Sequence, residues 1–232
     1  YARGNIVSRD IKSIVKETQR LAENGFKEIV LTGIHVASFG KDFDDDSSLI
    51  DVIEAVASVD GIERIRLSSM EPRHVTRDFL ERIRDTGKAC DHFHLSLQSG
   101  SDDILKSMNR KYDTAIFKEK VALIREVFPN AGMTTDIIVG FPGETDKNHK
   151  ETKDFVEDIK FAKTHLFKYS PREGTRAAKM GDQINGNIKK DRLHELEEIE
   201  EKNRIGFLEK QLGKTLSVLI ESKSDLEGYS GG

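Results

Sequence analysis

Five stretches of the 232-residue sequence place polar or turn-forming residues directly after an apolar run. They are Thr32-Gly33-Ile34-His35, Ser69-Met70-Glu71-Pro72-Arg73, Ser96-Leu97-Gln98-Ser99-Gly100, Asp136 with Gly140-Phe141-Pro142-Gly143, and Tyr169-Ser170-Pro171-Arg172. Imidazole, carboxylate, amide and guanidinium groups at such positions suit a ligand with several functional groups and both signs of charge. The run DIIVGFPGET (136–145) turns on glycines as phosphate loops do. It has no Lys, however, and follows neither G-x-x-x-x-G-K-[ST] nor G-x-G-x-x-G spacing, so it is not a phosphate cradle. Each stretch alone also has a plainer reading: Gly33 ends a strand, Glu71 caps a helix, Gln98 satisfies backbone groups. Taken together they describe a wide polar mouth.

Other candidates carry less. His35 reads equally as a structural residue and as a ligand contact. His92 and His94 alternate on a strand and face one side; with no carboxylate or third histidine at metal spacing, no metal is assigned. The single cysteine, Cys90, reads as structural. It excludes an internal disulfide and a multi-cysteine metal site built from this chain, and points to a reducing compartment, hence the cytoplasm. A net charge of −4 does not announce a nucleic-acid binder, so RNA contact needs a local basic patch. REGTRAAK, with Arg172, Arg176 and Lys179, offers one for phosphates, against the reading of a solvated loop. No apolar stretch approaches the roughly 20 residues of a membrane span, and no signal peptide opens the chain.

The elements that must position these residues alternate. Ser8 can cap a helix over 9–24, and EIVLTG (28–33) is a buried strand. A helix to about 59 starts at Ser47 or Ser48; RIRLSS (64–69) is a strand, 76–86 a helix and FHLSLQ (93–98) an alternating strand. Helices at 102–107 and 114–127, a strand at 132–140, a helix at 146–159 and a strand at 165–170 follow. A long helix at about 188–211 turns Ile188, Leu193, Leu196, Ile199 and Ile205 to one face, and 215–222 begins a further strand. Such alternation implies an α/β fold with a parallel sheet and outer helices. About five β/α units favour a partial, open TIM-like barrel with its site at the strand C-termini; the alternative is an open doubly wound sheet. The chain starts directly before a helix and stops within a β unit. It is therefore expected to lack a first strand and its loop, and to self-associate or be partly disordered near Tyr1.

LTGIHVASFG, SSMEPR, HLSLQSGSDDILKSMNRKY, TTDIIVGFPGET and KYSPREGTRAAKM resemble the radical S-adenosylmethionine (SAM) methylthiotransferases over essentially the whole chain. Ile34-His35 and Arg172-Glu173-Gly174-Thr175 are similar to the branch that methylthiolates N6-threonylcarbamoyladenosine (t6A) in tRNA. The resemblance implies a radical SAM partial barrel over 1–212 and the start of a β-rich, TRAM-like RNA-binding domain over 213–232. It implies SAM held by Glu71 (ammonium), Arg110 (carboxylate), Gln98 and Asp136 (ribose), with Gly33, Gly140 and Phe141 against the cofactor. Gly140 would let the flat adenine ring approach the backbone. His35, Arg172 and Arg176 would meet the substrate, the anticodon loop of tRNA. A reduced [4Fe–4S] cluster cleaves SAM in this family, and sulfur from a second cluster is methylated and attached to C2 of the adenosine. A reductant and a sulfur donor are thus implied as partners. The cluster cysteines are absent from residues 1–232, so this chain alone is expected not to bind the clusters and to be inactive. Alternatives are a sibling acting on isopentenyladenosine or a ribosomal-protein aspartate, a cluster-less SAM- or RNA-binding module, and a barrel enzyme acting on a phosphorylated metabolite.

Overall fold

The computed structural model describes residues 4–220 and the backbone of 228–230. Residues 1–3 and the segments 221–227 and 231–232 lie outside the described residues, and with them the expectation about Tyr1 and part of the expected C-terminal domain. Two compact units are formed, one from Tyr1–His94, Leu123–Ala131 and Thr215–Gly232, the other from Leu95–Ala122 and Gly132–Lys214.

In the first unit, strands β1 (Glu28–Leu31) and β2 (Arg64–Leu67) pair in parallel, Ile29 opposite Ile65 and Leu31 opposite Leu67. Helices α1 (Ile11–Glu23), α2 (Leu49–Ala57) and α3 (Arg77–Asp85) are the connections a parallel pair requires. Asp10, not Ser8, caps α1 by accepting from the Ser13 amide. Ser8 is drawn away because its amide and hydroxyl both donate to Asp42 while its hydroxyl accepts from the Gly40 amide. Ser48 and Asp51 form a reciprocal box at the start of α2, and Thr76 caps α3. Leu49, Ile50, Val52, Ile53 and Val56 of α2 are buried with Ile65 and Leu80, so the α2 face fills the core of this unit. A short strand β3 (His92–His94) follows, and β6 (Val218–Ile220) pairs antiparallel with β7 (Gly228–Ser230).

In the second unit, β4 (Gly132–Val139) runs parallel to β5 (Lys163–Lys168), and residues 95–98 lie on its other edge through the Gln98–Ile137 bridge. Thr135 is fully buried and joins the two: its hydroxyl donates to Leu95 O (2.6 Å) and accepts from the Leu97 amide (3.1 Å). Helices α4 (Asp102–Ser107), the body of α5 (Thr114–Val127), α6 (Asp146–Ile159) and α7 (Gly186–Glu209) complete the unit. The sequence pattern places an apolar stripe of α7 inward, but Ile188 and Ile205 are each 44% exposed. The buried face is Lys189, Arg192, Leu196 and Asn203 instead. Tertiary partners make that polar face tolerable: Asn203 Nδ2 donates to Val156 O, Lys189 Nζ to Tyr169 O, and Arg192 pairs with Glu144. The β/α strands pair in parallel, β6 and β7 excepted, and among the described residues no sheet closes into a barrel. No described helix is long and apolar enough to cross a membrane.

Candidate functional site

Along β4 the side chains alternate. Thr135, Ile137 and Val139 are buried, while Asp136 and Ile138 face a cavity of about 380 Å³ at the C-terminal end of the strands. Gln98, Phe167, Tyr169, Arg172 and Thr175 also line it. The volume lies within the range of small-molecule sites. Asp136 supplies negative charge, Lys168 and Arg172 positive charge, and Gln98 both a donor and an acceptor, so a ligand with opposite charges can be met at both ends.

Gln98 is set by an unusual backbone. Its φ is +77°, in the left-handed region, although its amide donates to Asp136 O and its carbonyl accepts from the Ile138 amide. Such a conformation costs a non-glycine residue about 1–3 kcal/mol, and residues held there concentrate at functional sites. The strain aims the side chain of a residue only 8% exposed into the cavity wall. Tyr112, which closes the HLSLQSGSDDILKSMNRKY run but has no role assigned from sequence, helps fix this strand end: its hydroxyl donates to Ser96 O and Leu97 O at 2.5 and 3.2 Å.

Arg110 leaves α4 through a left-handed cap. Asn109 has φ +59°, its amide donates to Lys106 O and that of Arg110 to Leu105 O, the double bond pattern of a Schellman motif. Arg110 Nε is buried with no hydrogen-bond partner among the described residues. A buried guanidinium donor left open suits an acceptor that the described residues do not supply. Arg110 itself does not line the cavity of Gln98 and Asp136.

The GFPGE turn departs from expectation. Gly140 has φ +68°, and a Cβ there would lie 2.3 Å from Lys189 Cγ. The room beside Gly140 is thus filled by α7 and is not open to a flat ring, so the glycine serves the turn and the helix packing. Phe141 is 7% exposed and meets Tyr169 edge-to-face at 5.3 Å, backing a cavity residue without lining the cavity. The Gly140 amide donates to Glu144 Oε2 (2.8 Å), and Arg192 donates to the same carboxylate (2.7 Å) and to Glu144 O (3.0 Å). Burial raises the Glu144 carboxyl above its ordinary value, while Gly140 and Arg192 oppose the shift. Tyr169 carries Lys189 Nζ 5.1 Å above its ring, a cation–π contact, and its hydroxyl is buried without a hydrogen-bond partner among the described residues. Tyr169 was legible only as a strand-end residue.

Part of the expected mouth is internal structure. Gly100 packs so closely on α6 that a Cβ would lie 2.8 Å from Thr152 Cα, and the Ser99 and Thr152 hydroxyls are 3.3 Å apart. Arg176 is exposed and does not line the cavity. Gly33 is exposed, without positive φ, and a Cβ there would make only ordinary contact with Val36.

Glu71 and His35 belong to the first unit, where they stand with His74. Glu71 Oε2 accepts from Arg73 Nε (2.7 Å) and Oε1 faces His35 Nε2 (3.5 Å), so its carboxylate meets a guanidinium and imidazole in place of an open ammonium site. Burial first, then Lys41, Arg73 and His35, holds the His74 imidazole below its ordinary pKa. Cys90 is buried, and burial pushes its thiol up to about 11, the reverse of what a thiolate ligand needs. One thiol of this kind does not fit an iron–sulfur cluster. The second-unit cavity, by contrast, offers the amide, carboxylate and cationic groups that a zwitterionic nucleoside such as SAM requires.

The model of the radical SAM superfamily matches residues 1–156. The tRNA-2-methylthio-N(6)-dimethylallyladenosine synthase of Pelotomaculum thermopropionicum is 40% identical over 97% of this chain and 50% of its own length. The threonylcarbamoyladenosine tRNA methylthiotransferase MtaB of Bacillus subtilis is 41% identical over 84% of this chain and 44% of its own length. The chain spans about half the length of the curated relatives it matches. Among solved structures, coproporphyrinogen III oxidase (HemN) of Escherichia coli superposes with a TM-score of 0.63 at 16% identity, covering 86% of this chain and 48% of that one. The radical SAM methyltransferase TsrM of Kitasatospora setae gives 0.56 at 16% identity, over 69% of this chain and 29% of that one. These likenesses identify the open parallel β/α arrangement as the radical SAM fold. By its family match, its relatives and its fold, this chain belongs to the radical SAM superfamily.

Proposed function

We propose that this chain is the cofactor-holding core of a tRNA methylthiotransferase acting on t6A. The observation that carries the SAM part is the cavity in which the strained Gln98 stands with Asp136. Gln98 and Asp136 hold the ribose hydroxyls, the Gln98 amide serving as donor or acceptor and the Asp136 carboxylate as acceptor. Arg110 pairs with the methionine carboxylate through donors that include the open Nε. Tyr169, braced by Phe141 and Lys189, closes one wall and excludes water. SAM supplies the radical and methyl-donor chemistry when bound; the chain's share is to bind, orient and shield it. Arg172 and Arg176 are exposed cations for tRNA phosphates.

Ile34-His35 and Arg172-Glu173-Gly174-Thr175 support the t6A branch. A second reading, dimethylallyladenosine as substrate, is supported by relatives of that name at 40–43% identity. Two measurements test the proposal. Calorimetric titration with SAM should give binding that Gln98→Ala and Asp136→Asn each weaken at least about tenfold, the loss of one good hydrogen bond to a buried group; unchanged affinity in both variants refutes the site. Mass spectrometry of tRNA nucleosides from a strain lacking the gene should show loss of the methylthio form of t6A. Loss of the methylthio form of dimethylallyladenosine instead establishes the second reading.

A further inference from the structure

A second set of donors converges in the first unit, and the SAM reading does not use it. His35 follows β1; Glu71 and His74 bracket the short turn Pro72–His74 after β2. Because β1 and β2 are parallel neighbours in register, their two exit loops leave the sheet side by side. One donor atom from each of the three residues lies within 4.8 Å of the others, and His35 Nε2 stands 3.5 Å from Glu71 Oε1.

Each donor is held by a neighbour that leaves a ligating atom over. The Ser38 hydroxyl occupies His35 Nδ1 at 2.6 Å, so Nε2 is the nitrogen turned to Glu71. Arg73 occupies Glu71 Oε2 and leaves Oε1. His74 packs edge-on to the His35 ring with centroids 5.5 Å apart, and its Nε2 is buried without a hydrogen-bond partner among the described residues. A serine beside the far nitrogen of a ligating histidine is the outer-shell support that metal sites use. Three lone-pair donors brought together this closely can share one cation. Two imidazole nitrogens and one carboxylate oxygen form the donor set of open zinc and non-haem iron sites, with positions left for water or an external ligand. Around a tetrahedral ion with bonds of about 2.0–2.1 Å, donor atoms stand about 3.3–3.4 Å apart. The His35–Glu71 pair is already near that spacing, and side-chain rotation brings the third donor in.

We propose that His35, Glu71 and His74 bind one zinc-type divalent transition-metal ion, distinct from any iron–sulfur cluster. The proposal does not rest on the SAM reading of the second-unit cavity. Chelator-treated protein is titrated with Co²⁺ as the probe, followed by its visible ligand-field absorption, and then with Zn²⁺. One equivalent of Co²⁺ giving a band of low-symmetry coordination, displaced by one equivalent of Zn²⁺, is expected. His35→Ala and Glu71→Gln, both at partly exposed side chains, should each weaken Co²⁺ at least about tenfold with an unchanged circular dichroism spectrum. The competing surface site is His194 of α7, with Glu197 and Glu198 at 3.5 and 3.7 Å, and His194→Ala should leave the titration unchanged. Absence of the band, binding as tight in His35→Ala and Glu71→Gln as in the parent, or loss of binding in His194→Ala overturns the proposal.

Discussion

Removing Arg192 should open the turn that closes β4, and should do so in a pH-dependent way. Arg192 is 6% exposed and Glu144 3%, so the pair is out of water. Arg192→Met keeps much of the aliphatic bulk but deletes the donors to Glu144 Oε2 and Glu144 O. The bond to Asp146 is also lost, yet the Asp146 side chain is fully exposed and that arm contributes little. A buried carboxylate stripped of its partner costs about 3–5 kcal/mol. Glu144 can escape that penalty by taking up a proton. At pH 7.5, protonating a carboxyl with an ordinary value of 4.5 costs about 4 kcal/mol, at about 1.4 kcal/mol per pH unit. The expected loss is therefore about 3–4 kcal/mol at pH 7.5 and about 1.5 kcal/mol at pH 5.5. The sign follows from the folded carboxyl titrating above the unfolded one: its neutral form is stabilised by folding, so stability is full below about 4.5 and is lost as pH rises.

The Gly140 amide reports this locally, because its hydrogen bond ends on Glu144. Its exchange with solvent, corrected for the intrinsic pH dependence, should quicken by about two to three orders of magnitude at pH 7.5 and by about one at pH 5.5. Glu144→Gln combined with Arg192→Met removes the charge while keeping an acceptor for Gly140, and should restore at least about 2 kcal/mol of the loss. Equal destabilisation at both pH values, or strict additivity of the two substitutions, would refute the reasoning and make Arg192 a packing residue only.

Two further outcomes are expected. Gln98→Gly relieves the φ of +77°, so unfolding stability should stay within about 1 kcal/mol of the parent while SAM affinity falls at least about tenfold; a stability loss of more than about 2 kcal/mol shows that the side chain, and not the ligand, justified the strain. His149 is 5% exposed, and burial outweighs Glu195 in holding its imidazole below the ordinary 6.5. The unfolded chain then binds the proton more readily, so stability is full above pH 6.5 and declines as pH falls towards the lowered folded value. His149→Gln should flatten this decline in urea-unfolding midpoints measured from pH 7 to 5, and an unaltered slope assigns the decline to other groups.

The helices and strands were legible because apolar spacing and caps agree locally: Thr114–Val127 and Asp146–Ile159 fall where the pattern puts them. Gln98 and Asp136 were each legible as polar residues of the strand-end mouth, a local signal, while joining them on one ligand came from the family resemblance; both line the cavity. Three things were not. The inward face of α7 is Lys189, Arg192, Leu196 and Asn203, a polar stripe that hydropathy reads as surface until Glu144, Tyr169 and Val156 supply partners distant in sequence. Gly140 signalled a close approach correctly but not what approaches, since a helix side chain and a ligand ring make the same demand on a missing Cβ. Metal spacing is readable in sequence only within one element, as at His92 and His94, whereas the donor cluster joins loops after two different strands, His35 being 36 residues before Glu71 in the chain.

That last difference explains how the chain divides its chemistry. Side chains from adjacent parallel strands meet at the carboxyl ends whatever their separation in sequence, so each neighbouring pair of loops is a place where donors can converge. In the second unit the convergent groups carry both signs of charge around a cavity of about 380 Å³, which suits a zwitterionic organic ligand. In the first unit they are three lone-pair donors gathered within 4.8 Å, which suits an ion. The buried polar pairs lie behind these ends: Arg192 with Glu144 under the β4 turn, Thr135 between β4 and residues 95–98. Polar groups of that kind tolerate few alternative arrangements, because each unsatisfied partner costs about 1–3 kcal/mol. They therefore fix the register and turn geometry on which the strained Gln98 depends, and a substitution at Arg192 should reach SAM binding through the turn without touching the ligand.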